Sequence, residues 1–176
     1  MSVSPGDRAI LRELANQVAE VASYPEQTEK ARLWMACNDL RPERAMVFAD
    51  PQGGWKEIDD AWLRLSCQNP ACREFEAALC RKLIRATHIH DDFPILATFP
   101  VHLKITGNGY DDYGLKLEVT RSGQADGAYH IEPAIRSERD LDRLHPRPIR
   151  IDAAATERSE KMASDLFGDI LKVQKV

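Results

Sequence analysis

Apolar residues in the N-terminal part of the chain recur every three to four positions, which predicts two leading helices. The first helix should begin at Ser4–Pro5, because a capping serine here precedes a proline that suits the first helical position. Its apolar stripe is formed by Ile10, Leu11, Leu14, Val18 and Val21. A second helix is predicted from Pro25 to about Leu40, since Pro42 disfavours helical geometry at the residue before it.

The short run AMVFA at 45–49 is wholly apolar, and the turn residues DPQGG follow it. A run of this length, ended by Pro and Gly, is typical of a strand buried on both faces of a parallel sheet. A third helix is predicted to start at Asn69–Pro70, again by cap-then-proline chemistry. Its apolar stripe is formed by Cys72, Phe75, Leu79, Leu83 and Ala86.

Beyond His88 the pattern changes to the alternation of apolar and polar residues that indicates strands. It covers 99–105 and 115–119, with a Gly-rich stretch between them, so an antiparallel hairpin with a long loop is predicted. Residues 129–131 add a further short strand, and Ser137 begins a capping pattern with Asp140 for a short helix.

The last part of the chain has the order of elements found in a βαβ unit. A helix is predicted near 152–167, and Gly168 suits its C-terminal cap. A strand-like tail at 170–176 follows, which is the second half of such a unit. The pattern therefore predicts a mixed α/β fold with some parallel strand pairing.

Two segments resemble uroporphyrinogen decarboxylase-like proteins. One is ARLWMACNDLRPERAMVFADPQGGWKEI at 31–58, and the other is IEPAIRSERDLDRLHPRPIRIDAAATERSEKMASDLFGDILKV at 131–173. Within the second, RDLDRL is similar to the DLEKL element of that family, which precedes a helix and then a strand opening with Gly-Asp. The superfamily also holds zinc-dependent methyltransferases that use methylated corrinoid proteins, and this chain looks closer to the methyltransferase-like branch.

The resemblance implies a (β/α)8 TIM-barrel fold, of which this chain would be an N-terminal portion. It implies a leading helical segment at 1–44 and an incomplete barrel portion at 45–176 that carries the inserted antiparallel hairpin. Barrel-type strands are expected at 45–49, 94–99 and 170–176. Since a barrel takes about 250 residues, fewer than half of its strands would lie in this chain.

The turn after the first expected strand is the main candidate site, because barrel active sites lie at the carboxyl ends of strands. The substrate-binding candidates are Asp50, Gln52, Gly53, Trp55 and, on the polar side of a later strand, His102. The family's decarboxylases have arginines in this turn and a catalytic aspartate after the second strand. Here the turn reads PQGGW and the second position reads ATFP, so porphyrinogen decarboxylation is disfavoured and the catalytic residues are unknown.

Metal and nucleophile patterns are weak throughout the chain. His88, His90, Asp91 and Asp92 are suitable ligand types, but a solvated helix end with histidines that favour the helix dipole explains them better. The cysteines form no CxxC pair and fit small buried residues, no GxSxG elbow is present, and the acidic loop Asp111–Asp112 lacks EF-hand spacing. No cofactor is expected in this chain. The resemblance implies zinc and a corrinoid methyl carrier for the intact relative.

Composition narrows the function classes. The net charge is −4, with 24 basic and 28 acidic residues that form no basic block, so nucleic acid is not an expected partner. No apolar run is long enough to span a membrane, and charges at Asp7 and Arg8 interrupt any signal-peptide core, so a cytoplasmic location is expected.

Three hypotheses follow. The first is an N-terminal fragment of a decarboxylase or methyltransferase relative, inactive alone, whose intact form acts on a small molecule or a corrinoid protein. The second is a complete non-enzymatic module that pairs its terminal strand with another chain or with a second copy in a homodimer. The third is a small intact enzyme that uses the Asp50–Trp55 turn together with His102.

Overall fold

The computed structural model describes residues 3–106, 113–123, 127–147 and 149–176, and they form a mixed α/β fold, as predicted. The helices are α1 (Pro5–Ala22), α2 (Pro25–Asn38), α3 (Trp55–Trp62), α4 (Pro70–His88) and α5 (Ala153–Phe167). The strands are β1 (Thr98–Val101), β2 (Ile105–Thr106), β3 (Val119–Arg121), β4 (Tyr129–Ile131), β5 (Arg150–Ile151) and β6 (Lys172–Lys175). Within the described ranges, no helix is both long enough and apolar enough to cross a membrane.

The chain divides into two compact units. The first unit contains Met1–Val101 and Arg158–Val176, and the second contains His102–Glu157. The boundary between 1–44 and 45–176, which comes from the family resemblance, stays a prediction.

Helix starts follow the predicted capping chemistry. The Ser4 hydroxyl accepts a hydrogen bond from the Asp7 amide at 3.0 Å, and Pro5 begins α1. The Asn69 side chain accepts from the Ala71 amide at 2.9 Å at the start of α4. Ser137 and Asp140 form the expected capping box, but the segment they open is a 3₁₀ helix at Glu138–Arg143.

The core of the first unit lies where α1, α4 and α5 meet the strand pair β1–β6. Three rings pack edge-to-face in it, with centroid distances of 5.3 Å between Phe75 and Phe99 and 4.9 Å between Phe99 and Phe167. The cluster is formed by Leu11, Ala15, Val18, Cys67, Cys72, Phe75, Leu79, Ile95, Phe99, Val101, Ala163, Leu166, Phe167 and Leu171. The predicted stripes of α1 and α4 therefore face the core, and Cys67 and Cys72 are buried there as free thiols, as predicted.

Two buried carboxylates hold the loop that precedes α4. The Asp7 carboxylate accepts from the amides of Gln68 at 2.9 Å and Asn69 at 3.1 Å. The Glu76 carboxylate accepts from the amide of Ser66 at 2.8 Å and that of Cys67 at 2.9 Å. Hydrogen bonding, first of all from the Gln68 amide, lowers the pKa of Asp7 below its usual value. Since both carboxylates bond to main-chain amides, they tie this loop to α1 and α4.

Strands β1 and β6 pair in parallel, with Phe99 opposite Val173, which confirms the predicted strand in the C-terminal tail. Of the segment expected to form a strand at 94–99, Thr98 and Phe99 belong to β1, and Ile95 is buried just before it.

The predicted strand at 45–49 is wrong, because this segment forms neither a helix nor a strand. The Val47 amide donates to the Asp92 carboxylate at 2.8 Å, and the Ala49 amide donates to Asp91 at 3.1 Å. Side-chain acceptors thus replace the backbone partners of a sheet. The segment is also not buried, since Val47 is 60% exposed and Phe48 is 49% exposed.

The second unit contains two short antiparallel pairs, β2 with β5 and β3 with β4. An antiparallel hairpin is therefore present, but its strands differ from those predicted. Val119 pairs with Ile131 across β3–β4, and Ile105 pairs with Ile151, so 99–105 does not pair with 115–119. The expected loop glycines Gly107 and Gly109 and the acidic pair Asp111–Asp112 lie outside the described residues.

Candidate functional site

The predicted site turn is an exposed 3₁₀ segment at Gln52–Gly54 that leads directly into α3. The Asp50 carboxylate accepts from the Gln52 amide at 3.2 Å, and the Gly54 amide donates to the Pro51 carbonyl at 2.8 Å. Gln52 has a φ of 46°, a left-handed conformation that is uncommon for residues with a side chain. Asp50, Gln52 and Gly53 face solvent, which leaves their polar groups accessible.

Trp55 belongs to an arginine–aromatic cluster, defined here as Arg85 with Phe48, Trp55, Phe93 and Asp91. The guanidinium carbon of Arg85 lies 5.1 Å from the ring centroid of Phe48, 5.8 Å from Trp55 and 4.9 Å from Phe93. These distances suit cation–π contact. The Trp55 ring therefore packs against Arg85 of α4.

The buried ion pair Arg85–Asp91 organises this cluster. The Arg85 guanidinium bonds to the Asp91 carboxylate and also donates to the Ala49 carbonyl at 3.0 Å. Asp91 in turn accepts from the amides of Ala49 and Phe93, each at 3.1 Å. The buried charges are thus paired and hydrogen-bonded, which is the condition under which such a pair is tolerated in a protein interior.

Asp92 anchors the same segment from the neighbouring position. Its carboxylate forms a bidentate pair with Arg44, with distances of 2.6 and 2.8 Å, and it accepts from the Val47 amide. The Arg44 guanidinium, followed by the Val47 amide, holds the pKa of Asp92 well below its usual range. Trp34 donates from its indole Nε1 to the Asp92 carbonyl at 2.8 Å, so α2 also bonds to this residue.

The structure therefore separates the four residues that the sequence placed in one ligand pattern. Asp91 and Asp92 bond to different arginines. The ring of His88 stacks on Trp62, with centroids 4.2 Å apart, and His90 is exposed. In the parts of the chain that the structure describes, no group of three or more His, Cys, Asp or Glu side chains is arranged to hold a metal ion.

The zinc that the resemblance implies for its relatives requires thiolate, imidazole or carboxylate ligands. Burial raises the pKa of the Cys67 thiol to about 12 and also raises the pKa of Cys72. A thiol kept protonated inside an apolar core is a poor metal ligand. Cys67 and Cys72 therefore do not fit a zinc centre.

His102 follows β1 directly and is exposed, and it belongs to the second unit. In that same unit the His130 imidazole lies 3.2 Å from the Glu132 carboxylate, also at the surface. The structure thus places Asp50, Gln52, Gly53 and Trp55 on one continuous segment of the first unit, whereas His102 belongs to the second unit.

Sequence reasoning missed the residues that organise this region, namely Arg85, Phe48 and Phe93. One signal was available, because Arg85 is flanked in the sequence by the apolar residues Ile84 and Ala86, and Asp91 follows six positions later. A charged residue that becomes buried requires a partner. The assembled region has exposed apolar groups beside firmly paired charges, which suits contact and binding better than proton transfer.

Comparison with known proteins found no relative of this chain: no family model matches it, and neither a curated protein nor a solved structure matches it.

Proposed function

We propose that this chain is a uroporphyrinogen decarboxylase-like protein of the methyltransferase-like branch and that it forms an N-terminal portion of a (β/α)8 barrel. The observation that carries the proposal is the parallel pairing of β1 with β6. The connection between these strands contains α5, and a parallel pair joined through a helix is the repeating unit of a barrel. These are the segments in which the resemblance expects successive barrel strands.

The outer edge of β6 is open to pairing with a further strand. Lys172 and Val176 donate their amides to the carbonyls of Ala97 and Val101. Alternate residues of a parallel strand bond to the same neighbour, so Val173 and Lys175 direct their backbone groups away from β1. Among the described residues no strand pairs with this outer edge of β6. A two-stranded parallel sheet with such an edge is consistent with a barrel portion that has little or no activity alone.

Under this proposal the Asp50–Trp55 turn contributes to binding a small molecule or a corrinoid-bound methyl group. The exposed Asp50 and Gln52 supply polar contacts, and Trp55 supplies an aromatic surface fixed by Arg85. Because the buried Cys67 and Cys72 do not fit zinc and the described residues contain no arranged group of metal ligands, no catalytic step is assigned to this chain.

The experiment is mass spectrometry of the protein purified from its native source, combined with an assay of methyl transfer from methylcobalamin to a thiol, followed by absorbance. The expected result is a longer native polypeptide that transfers the methyl group, while the 176-residue chain does not. A native polypeptide of this length that behaves as a compact monomer and leaves methylcobalamin unchanged contradicts the proposal.

A second candidate function is a module that binds a partner chain through β6, and the difference between the two sheet edges favours it. At the outer edge of β1, the Lys82 ammonium donates to the carbonyls of Leu96 and Thr98. Pro100 has no amide to offer at the same edge. Strand addition should therefore take place at β6 rather than at β1.

Light scattering after size exclusion tests this second candidate with two variants at one position. Lys175→Pro removes an outward amide of β6, whereas Lys175→Ala removes the same side chain and keeps the amide. If β6 pairs with another chain, the wild type and Lys175→Ala form a dimer or complex, and Lys175→Pro is monomeric. A monomeric wild type, or equal association of both variants, contradicts this function.

A further inference from the structure

A cleft of about 560 Å³ opens in the first unit, on the side of α2 and the C-terminal end of α4. Its walls come from the start of α2, the last turn of α4 and the segment 89–95. This volume is in the range of small-molecule sites. The cleft is distinct from the Asp50–Trp55 turn, none of whose residues lines it.

Gln27 is the informative polar residue of this cleft. The residue is 94% buried, since only 6% of it is exposed, and its Oε1 accepts from the Ile95 amide at 2.7 Å. The amide orientation is therefore determined, and Nε2 is the remaining donor group. In the described part of the chain, Nε2 has no hydrogen-bond partner from the protein. Every fully buried side-chain nitrogen or oxygen there does have a partner, so Nε2 is not fully buried. It follows that Nε2 reaches the open space of the cleft.

The charged residues that line the cleft are neutralised by protein partners. Lys30 pairs with Glu26 at 2.6 Å, and Arg85 pairs with Asp91. Asp92 pairs with Arg44, as described above. Because each of these charges already has a counter-ion, none of these lysine, arginine and carboxylate groups is free to pair with an ionic ligand, and desolvating an ion there would be costly.

Besides the exposed polar residues Thr87 and His90, the remaining lining is apolar and aromatic. Val21, Ala86, Ile89 and Ile95 supply aliphatic surface, and Ile95 is buried at the base of the segment. Tyr24 and Phe93 line the cleft as well, and their rings are 47% and 42% exposed. Exposed rings beside an apolar floor suit a flat hydrophobic ligand, because aromatic surfaces gain from stacking contacts.

We propose that this cleft binds a small, uncharged, flat molecule that carries a carbonyl or carboxamide group. The carbonyl oxygen accepts a hydrogen bond from Gln27 Nε2, and the apolar ring lies against the aliphatic floor and the rings of Tyr24 and Phe93. A carboxylate in the same position meets Lys30 and Arg85 already paired with other carboxylates, and an ammonium meets the donor group of Gln27.

The first measurement is saturation-transfer NMR on the full chain with three probes of matched shape: benzamide, benzoate and benzylamine. Benzamide is expected to bind at millimolar concentration with at least about tenfold preference over the two charged probes, since one satisfied hydrogen bond and one avoided ion desolvation distinguish them. Equal binding of the three probes, or binding of benzoate alone, overturns the proposal.

The second measurement uses Gln27→Glu, which keeps an oxygen acceptor for the Ile95 amide but removes the Nε2 donor. Benzamide affinity is expected to fall about tenfold, because the ligand carbonyl then faces a carboxylate oxygen. Gln17→Glu makes the same chemical change on the exposed face of α1 and should leave binding unchanged. Circular dichroism establishes whether both variants are folded.

If Gln27→Glu unfolds the protein, Phe93→Ala replaces it as the test, because this change removes an exposed ring and leaves Gln27 in place. Phe93→Ala should weaken benzamide binding severalfold through loss of stacking. A folded Gln27→Glu or Phe93→Ala variant with wild-type benzamide affinity overturns the assignment of the ligand to this cleft.

Discussion

The strands of the two units differ in how far their side chains are buried. In the first unit, β1 alternates between half-buried and buried residues, and Phe99 and Val101 lie in the core. In the second unit, the residues of β2, β3, β4 and β5 are exposed on both faces. Among the described residues of the second unit, Leu115 and Thr156 are the buried ones.

This difference shows that backbone pairing and core formation are separate outcomes in one polypeptide. A two-stranded antiparallel ribbon satisfies its own hydrogen bonds, but it is marginally stable unless one face is covered. The helices of the first unit have apolar stripes that meet around a common set of rings, so burial there supplies the main stabilising free energy. We therefore expect unfolding free energy to be concentrated in the first unit and local opening in the second.

The strongest test of this contrast is truncation of a core ring. Phe167→Ala should lower the free energy of unfolding by about 3–5 kcal/mol, because Phe167 is fully buried against Phe75 and Phe99. Ile131→Ala in β4 should cost less than about 1 kcal/mol, since its side chain is largely exposed. Urea unfolding followed by circular dichroism measures both, and similar losses would contradict the division into a packed and an unpacked unit.

A smaller effect is expected from the buried carboxylate of the first unit. Glu76→Ala leaves the amides of Ser66 and Cys67 without their acceptor, which should cost about 1–3 kcal/mol for each unpaired group that stays buried. Glu76→Gln retains one acceptor oxygen and should cost less, while Glu57→Ala on the exposed face of α3 serves as the neutral control. If all three variants unfold at the wild-type urea concentration, the loop before α4 is not held by this carboxylate.

Hydrogen exchange should distinguish the two units without any mutation. The amides that bond between β1 and β6 are expected to exchange at least about 100-fold more slowly than those that bond between β3 and β4, because the first pair opens only with the core. Mass spectrometry of peptides covering 98–101, 119–131 and 172–175 measures this directly. Equal protection in the two sheets would show that the second unit has a stabilising core of its own.

The smallest effect concerns the surface pair between α1 and the turn after α5. Arg12 forms a bidentate pair with Asp169, with both distances 2.7 Å, and it lowers the pKa of Asp169 from 3.8 to about 2. Because the native pKa is below the unfolded one, the pair stabilises the fold above about pH 4, and this contribution disappears as the pH falls towards 2.

Thermal unfolding between pH 5 and pH 2 tests this sign. Asp169→Asn should remove part of the acid-induced loss of melting temperature, and the difference from wild type should shrink at salt concentrations on the order of 0.5 M. The effect is small because both side chains are largely solvent-exposed. An Asp169→Asn variant that is more acid-sensitive than wild type would reverse the assigned direction.

Where sequence patterns reflected local chemistry, they agreed with the structure. Ser4 and Asn69 cap their helices as predicted, and the stripes of α1 and α4 face the core. These features depend on residues within a few positions of one another, so a single sequence contains the necessary information. The pairing of β1 with β6 follows from no local pattern and is expected only through the family resemblance, because β6 lies more than 70 residues further along the chain.

The candidate site shows where local patterns fail. The run AMVFA has the composition of a buried strand, yet its amides bond to Asp91 and Asp92, and Phe48 packs on Phe93 and Arg85. Nothing in the run itself indicates that carboxylates more than 40 positions later will replace a neighbouring strand. The same holds for Gln27, whose free Nε2 group follows from its bond to Ile95.

The amino-acid sequence by itself determined where the principal helices begin, which of their faces are apolar, and that the chain combines helices with strands. The tertiary structure decided which strands pair, that residues 45–49 stay outside a sheet, and that Arg85 collects the aromatic residues around Asp91. The physical reason is one of range: capping and periodicity act over one or two helical turns. Strand partners and ion pairs instead depend on which distant segments the core brings together.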